Sequence, residues 1–144
     1  MTADDPVSPG VPSDPDTGMW QGKSVARRFL APDGAVVLVG RTARDNDILT
    51  FKLAAQNDFW LHVAGETGSH VVVRNPAGLP RLPRDTLRFA ASLAARYSKA
   101  HQGGQVSVHV SRVKDVKKPR GFPAGKVTLS RFDAVRATPC RDTS

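Results

Sequence analysis

Two β-forming runs separated by a short break constrain this chain more than any other feature: Asp58-Phe59-Trp60-Leu61-His62-Val63, then Gly68-Ser69-His70-Val71-Val72-Val73. Bulky and β-branched residues favour strands, and Gly65 with Gly68 sits where a chain reverses direction, so the pair predicts a β-hairpin. Side chains on a strand repeat with a period of two. Phe59, Leu61 and Val63 therefore share one face, and Trp60 and His62 share the other. If the first face is core, the second can be a ligand platform. An indole beside an imidazole suits stacking on a base, and Ser69 and His70 add hydrogen-bonding groups near the turn. The same residues also fit a plainer reading, in which Trp60 is half-buried in a second layer and the histidines are satisfied structurally.

The rest of the chain supplies partners for that hairpin. Residues 1–22 are rich in Pro, Asp, Ser and Gly and read as a disordered acidic leader. Residues 23–138 read as one domain and 139–144 as a frayed tail. Within the domain, Ser24 to Ala31 and Ala35 to Val39 predict an opening hairpin around Pro32-Asp33-Gly34. Thr42 to Ala54 predicts a short helix with Thr42 as N-cap. The segment from Asn75 to Pro83 is a loop. From Asp85, read as an N-cap, Leu87, Ala90, Ala91, Ala94 and Tyr97 recur at helical spacing as far as Lys99, and Gly103-Gly104 ends the element. Val106, Val108 and Val110 alternate with Ser107 and His109 as a half-buried strand. Lys126 to Arg131 and Ala134 to Ala137 are closing strands. The fold class expected is a single α/β (α+β) domain, mostly antiparallel sheet, with the long helix packed on one face and a shorter helix beside it.

Charge points towards a partner. The chain carries 21 Lys and Arg against 13 Asp and Glu, and its first cation is Lys23, so the basic excess belongs wholly to the domain. A basic domain behind an acidic leader suits a polyanion. Its densest stretch is Arg112-Val113-Lys114-Asp115-Val116-Lys117-Lys118-Pro119-Arg120-Gly121. Cys140 is the only cysteine, which excludes an intramolecular disulfide and a cysteine-based zinc cluster. No run approaches the roughly 20 apolar residues needed to span a bilayer. A cytoplasmic protein without a membrane partner is expected.

Chemistry-bearing motifs are weak. Gly121-Phe122-Pro123-Ala124-Gly125-Lys126 is one residue short of a phosphate-binding loop, and Val127 stands where a Ser or Thr should hold magnesium. Gly68-Ser69-His70 lacks the second glycine of a nucleophile elbow. His62, His70, His101 and His109 lack paired metal-ligand spacing, and no cofactor is implied. The enzyme reading left open is a small hydrolase or nucleotide-modifying enzyme using His62 or His70 with Asp58.

A family likeness follows from the order of five blocks. Gly40-Arg41 with Asn46-Asp47-Ile48-Leu49-Thr50, then Asp58 to His62, Gly68 to Val72, Ala90 to Lys99, and Val116 to Gly121 followed by Pro123 to Val127 resemble the NFACT RNA-binding domain in order and spacing. The likeness covers roughly Ser24 to Leu129. It implies an RNA-binding module of mixed α and β structure, not an enzyme. In that family the domain usually ends a long protein that acts on ribosomes holding a stalled nascent chain. Without the family's long N-terminal domain and coiled-coil arm, this chain is expected to be a stand-alone member.

The expected partner is RNA, tRNA or rRNA, and with it the large ribosomal subunit. By position Asn46, Asp47, Trp60, His62, Ser69, His70, Lys99, Lys117, Lys118 and Arg120 match the family's blocks and are the expected RNA contacts. Binding is expected through the sheet face opposite the long helix and through the Lys117 to Arg120 loop. A third reading is a module that docks on a ribosomal protein through an exposed aromatic surface.

Overall fold

Alternating apolar residues build the sheet, and a small-residue stripe lets a helix lie on it. The structure, a computed structural model, describes residues 13–139. Its strands are β1 (Met19–Trp20), β2 (Lys23–Ser24), β3 (Ala26–Leu30), β4 (Val36–Gly40), β5 (Phe59–Val63), β6 (Val71–Val73), β7 (Val106–Arg112), β8 (Val116–Lys117), β9 (Thr128–Leu129) and β10 (Asp133–Ala137). Helix α1 (Ala43–Ile48) continues as a π-helical turn over Leu49–Leu53, and α2 spans Arg84–Arg96. Six strands form one sheet in the order β10-β7-β5-β6-β4-β3, with every neighbouring pair antiparallel. The expected central hairpin is β5 with β6, in the register Trp60 opposite Val72.

Against one face lies α2. Val37, Val39, Leu61, Val71, Val73 and Val108 meet Ala90, Ala91, Leu93 and Ala94 in a single cluster. Alanines carry no side chain beyond Cβ, so the helix axis can approach the sheet closely. The helix differs from the expectation at both ends. Pro83 precedes its first turn, and Asp85 is the second helical residue, where its charge still complements the helix dipole. It stops at Arg96, three residues short of Lys99, because the β5–β6 loop takes over the next backbone groups. Ser69 N donates to Tyr97 O at 2.9 Å and Lys99 N to Thr67 O at 2.9 Å.

The opposite face is not the open platform expected. Ala26, Leu38, Trp60 and Val72 form a second cluster with Leu49, Val113 and Val116, under α1 and the excursion between β7 and β10. The anticipated strand over Lys126 to Arg131 contracts to β9, which pairs with β8 in a separate two-stranded ribbon rather than joining the main sheet. It helps cover this face instead of extending it.

The ordered domain begins earlier in the sequence than its composition suggests. Residues 1–12, and with them Asp4 and Asp5, lie outside the described residues, as do 140–144 and Cys140. Residues 13–22 are ordered onto the domain. Met19–Trp20 pairs with Lys23–Ser24, Asp16 Oδ1 pairs with Arg74 at 2.9 Å, and Arg28 Nε donates to Asp16 O at 2.8 Å. Low apolar content was outweighed here by specific polar partners. No helix among the described residues is long and apolar enough to cross a membrane.

Candidate RNA interface

Three segments distant in sequence converge at the end of the sheet where α2 stops. These are the β5–β6 loop, the turn after α2, and the loop carrying Gly125 and Lys126. Gly68 is where the first two meet: a Cβ there would stand 2.8 Å from the Ser98 Cβ, so only glycine permits the approach. Helix α1 closes the floor from the other side, its first turn capped by the Thr42 hydroxyl, which accepts from Asp45 N at 3.0 Å.

Beneath the surface is a block of satisfied polar groups. Asn46, 5 % exposed, accepts from His70 N at 3.0 Å through Oδ1, and its Nδ2 donates to Gly68 O at 3.4 Å. Gly40 must be glycine for the same reason, since a Cβ would overlap Asn46 Oδ1. His70 has no exposure at all. Its Nε2 lies 3.1 Å from Gly125 O, and a carbonyl can only accept, so Nε2 carries the proton. Nδ1 therefore accepts from the Thr50 hydroxyl at 2.8 Å, within the π-helical turn. Asp47 accepts from Gly125 N at 3.1 Å and pairs with Lys118 Nζ at 3.1 Å, while Lys118 also donates to the Pro123 and Lys126 carbonyls. Ser69 Oγ donates to Gly40 O at 2.8 Å.

An aromatic stack rests on this block. His62 lies almost parallel to Trp60, at 5.7 Å between centroids and 12°, and His70 meets both rings edge-on. Trp60 is only 2 % exposed and its Nε1–H has no acceptor among the described residues. Burial lowers the pKa of His62, opposed by the Val63 and Gly68 carbonyls. Burial, with His62 nearby, lowers that of His70 to about 4. Both rings are thus neutral at pH 7.

Above the block runs a groove of about 600 Å³ whose wall carries Arg27, Arg41, Arg96, Lys99 and Lys126 against one carboxylate, Glu66. Tyr97 is its aromatic element, with the Arg27 and Arg96 guanidinium carbons at 5.1 and 5.0 Å from its ring centroid. The Lys99 and Lys126 side chains are exposed.

The ten residues expected to contact RNA therefore divide. Asn46, Asp47, Trp60, His70 and Lys118 have their polar groups or surfaces committed inside the fold. Trp60 is a floor for His62 and not the exposed stacking surface expected, because α1 and the β7–β10 excursion cover it. Lys118 is a clasp between α1 and its own loop rather than a free cation. His62, Ser69 and Lys99 line the groove, and so does Asn46, whose amide is already bonded within the block. Lys117 and Arg120 are exposed and lie apart from its lining. Arg27, Arg41, Arg96, Tyr97 and Lys126 also line the groove and are not among the ten, although all but Arg27 lie within the blocks that carry the family likeness.

The acid–base pair with Asp58 does not form. Asp58 accepts from Ala55 N and Asn75 N, both at 2.9 Å, and pairs with Arg74 at 2.8 Å. It lies four residues from His62 along an extended strand, about 13 Å away. Its place is structural, joining the loops before β5 and after β6.

Comparison with known proteins gives a consistent picture. Residues 26–131 match the family described as the NFACT protein RNA binding domain. The Rqc2 homolog RqcH of Bacillus subtilis (strain 168) is 37% identical over 119 residues, covering 83% of this chain and 20% of that protein. Ribosome quality control complex subunit 2 of Schizosaccharomyces pombe is 31% identical over 110 residues, covering 76% of this chain and 11% of that protein. Among solved structures, the C-terminal part of the fibronectin/fibrinogen-binding protein from Streptococcus suis superposes with a TM-score of 0.77 at 36% identity, covering 83% of this chain and 47% of that one. The chain thus spans a fifth or less of the length of these curated relatives.

Proposed function

The chain belongs to the NFACT RNA-binding domain family, and from that premise we propose that it holds tRNA or rRNA in the groove at the end of α2, in a ribosome-associated role within ribosome quality control. The observation that carries this reading is the convergence of Arg27, Arg41, Arg96, Lys99 and Lys126 on one groove with a single carboxylate among its lining residues. Cations so placed gain affinity by displacing the counterions of a phosphate backbone. The neutral imidazole of His62 and the Tyr97 ring offer uncharged contacts beside them, as recognition of bases and riboses requires. The ribosomal setting is supported by the names of the relatives RqcH and ribosome quality control complex subunit 2. The cytosol is the compartment that setting implies.

Binding of the full chain to a tRNA and to a large-subunit rRNA fragment, measured across a salt series, tests the reading. Each phosphate contact should contribute about 0.7 to 0.9 to the slope of log affinity against log salt. Four such contacts give a slope near −3. A salt-independent affinity would instead point to apolar docking and overturn the reading.

A further inference from the structure

Adjoining the cationic groove, on the sheet face opposite α2, is a second hollow of about 600 Å³ with a different lining. Its sheet wall is made by His62 and His109, which are direct cross-strand partners on β5 and β7. Phe132 leans on His109 at 4.4 Å between centroids. The floor is Trp60, and Lys99 and Lys126 stand in both hollows, so the two are continuous.

Phe132 is 48 % exposed. A lone exposed phenylalanine is ordinary. This one is held in place. The Ser111 hydroxyl donates to the Arg131 carbonyl just before it, and β10 begins just after it with Asp133 opposite Val110. A large apolar ring is thereby fixed in a hollow that already presents the imidazoles of His62 and His109. Beneath them, the Trp60 indole N–H is buried with no acceptor among the described residues. Such an orphan costs about 1–3 kcal/mol, and it calls for a partner such as water or a bound group.

We propose that this hollow receives one unpaired nucleobase, stacked on Phe132 and His109 beside His62, while its flanking phosphates lie on Lys99 and Lys126. This rests on the RNA-binding reading above and deepens it, since it assigns the class of RNA. The ligand must present a nucleotide free to leave its stack, as a loop, bulge or end does, and a continuous duplex cannot fill the site. An aromatic ring accepts the face of any base, so stacking gives a preference for unpaired RNA with little sequence preference. Glu66 is the one carboxylate in either lining and is the charged acceptor available to N–H groups on the base edge.

The test uses the full chain, one short single-stranded RNA, and the same RNA annealed to its complement. Phe132→Ala is expected to weaken binding of the single strand by about 5- to 150-fold. It should leave duplex affinity, the salt slope and the melting temperature at their parent values, and Phe132→Trp should restore binding. Equal losses on both RNAs, or none on either, would overturn the proposal. Lys99→Ala with Lys126→Ala separates the two readings. If that pair weakens both RNAs while Phe132→Ala weakens neither, the groove reading stands and the base site falls. If neither variant affects binding, both fall.

Discussion

The buried polar block and the open rim above it occupy the same end of the domain, yet they use charge in opposite ways. In the block, Asp47 and Lys118 neutralise each other at 3.1 Å, and His70 is held neutral between Thr50 and Gly125. In the rim, Lys99 and Lys126 project into solvent with no ion pair among the described residues. Matching a family block does not by itself mark a contact residue. A block residue can be shared because it shapes the surface rather than because it touches the ligand. The comparison predicts that variants of the block and of its aromatic floor change stability, and that variants of the rim change affinity.

The largest effect should come from the floor. Fully burying an indole of roughly 200 Å² contributes about 4–6 kcal/mol. Trp60→Ala should therefore cost about 3–5 kcal/mol of folding free energy, lowering the melting temperature by about 10–25 °C. A variant that melts like the parent but binds RNA poorly would move Trp60 from the block to the interface.

His70 sharpens the contrast through pH. Its ordinary pKa of 6.5 falls to about 4 in the folded chain. Between those values the unfolded chain binds a proton that the fold refuses. Stability is then complete above about pH 6.5 and declines as pH falls towards 4, by up to about 3 kcal/mol. Urea melts at stepped pH values should show this decline, and His70→Gln should flatten it. An unchanged pH profile in that variant would mean that His70 is not the group responsible.

Rim variants should leave folding alone. Lys99→Ala with Lys126→Ala should reduce the salt slope by about 1.4 to 1.8 and move stability by no more than about 0.5 kcal/mol. Fluorescence anisotropy with a labelled tRNA reads the first, and thermal melting the second. The smallest change is expected from Lys117→Ala with Arg120→Ala, whose side chains stand outside the groove lining. A slope loss as large as that of the Lys99 and Lys126 pair would relocate the phosphate track to this loop.

Much of the frame was legible because it depends on local pattern. The period-two alternation of Phe59 to Val63 and of Val106 to Val110, the small-residue stripe of α2 and the Thr42 cap are each readable within a few residues. The six-stranded order is not, because β6 pairs with β4 as well as β5, and nothing in those short runs names the second partner. The site was legible only in part for a similar reason. Charge density along the chain singles out Lys117 to Arg120, whereas the groove collects one or two cations each from β3, the start of α1, the end of α2 and the Gly125 loop. Lys118 belongs to that loop and is consumed by Asp47, a partner many residues away in sequence. Likewise, alternation correctly put Trp60 on the face opposite α2, but could not show that α1 and the β7–β10 excursion cover it.

The central claim is that RNA lies along the groove assembled from the β5–β6 loop, the turn after α2 and the Gly125 loop. The most direct measurement is photo-crosslinking of the full chain to tRNA, with the crosslinked peptides mapped by mass spectrometry. Crosslinks should fall on peptides containing Tyr97, Lys99 and Lys126, and should be lost together as salt is raised. Crosslinks confined to peptides from Arg81 to Arg88 or from Lys117 to Arg120, with none at the groove, would contradict the account.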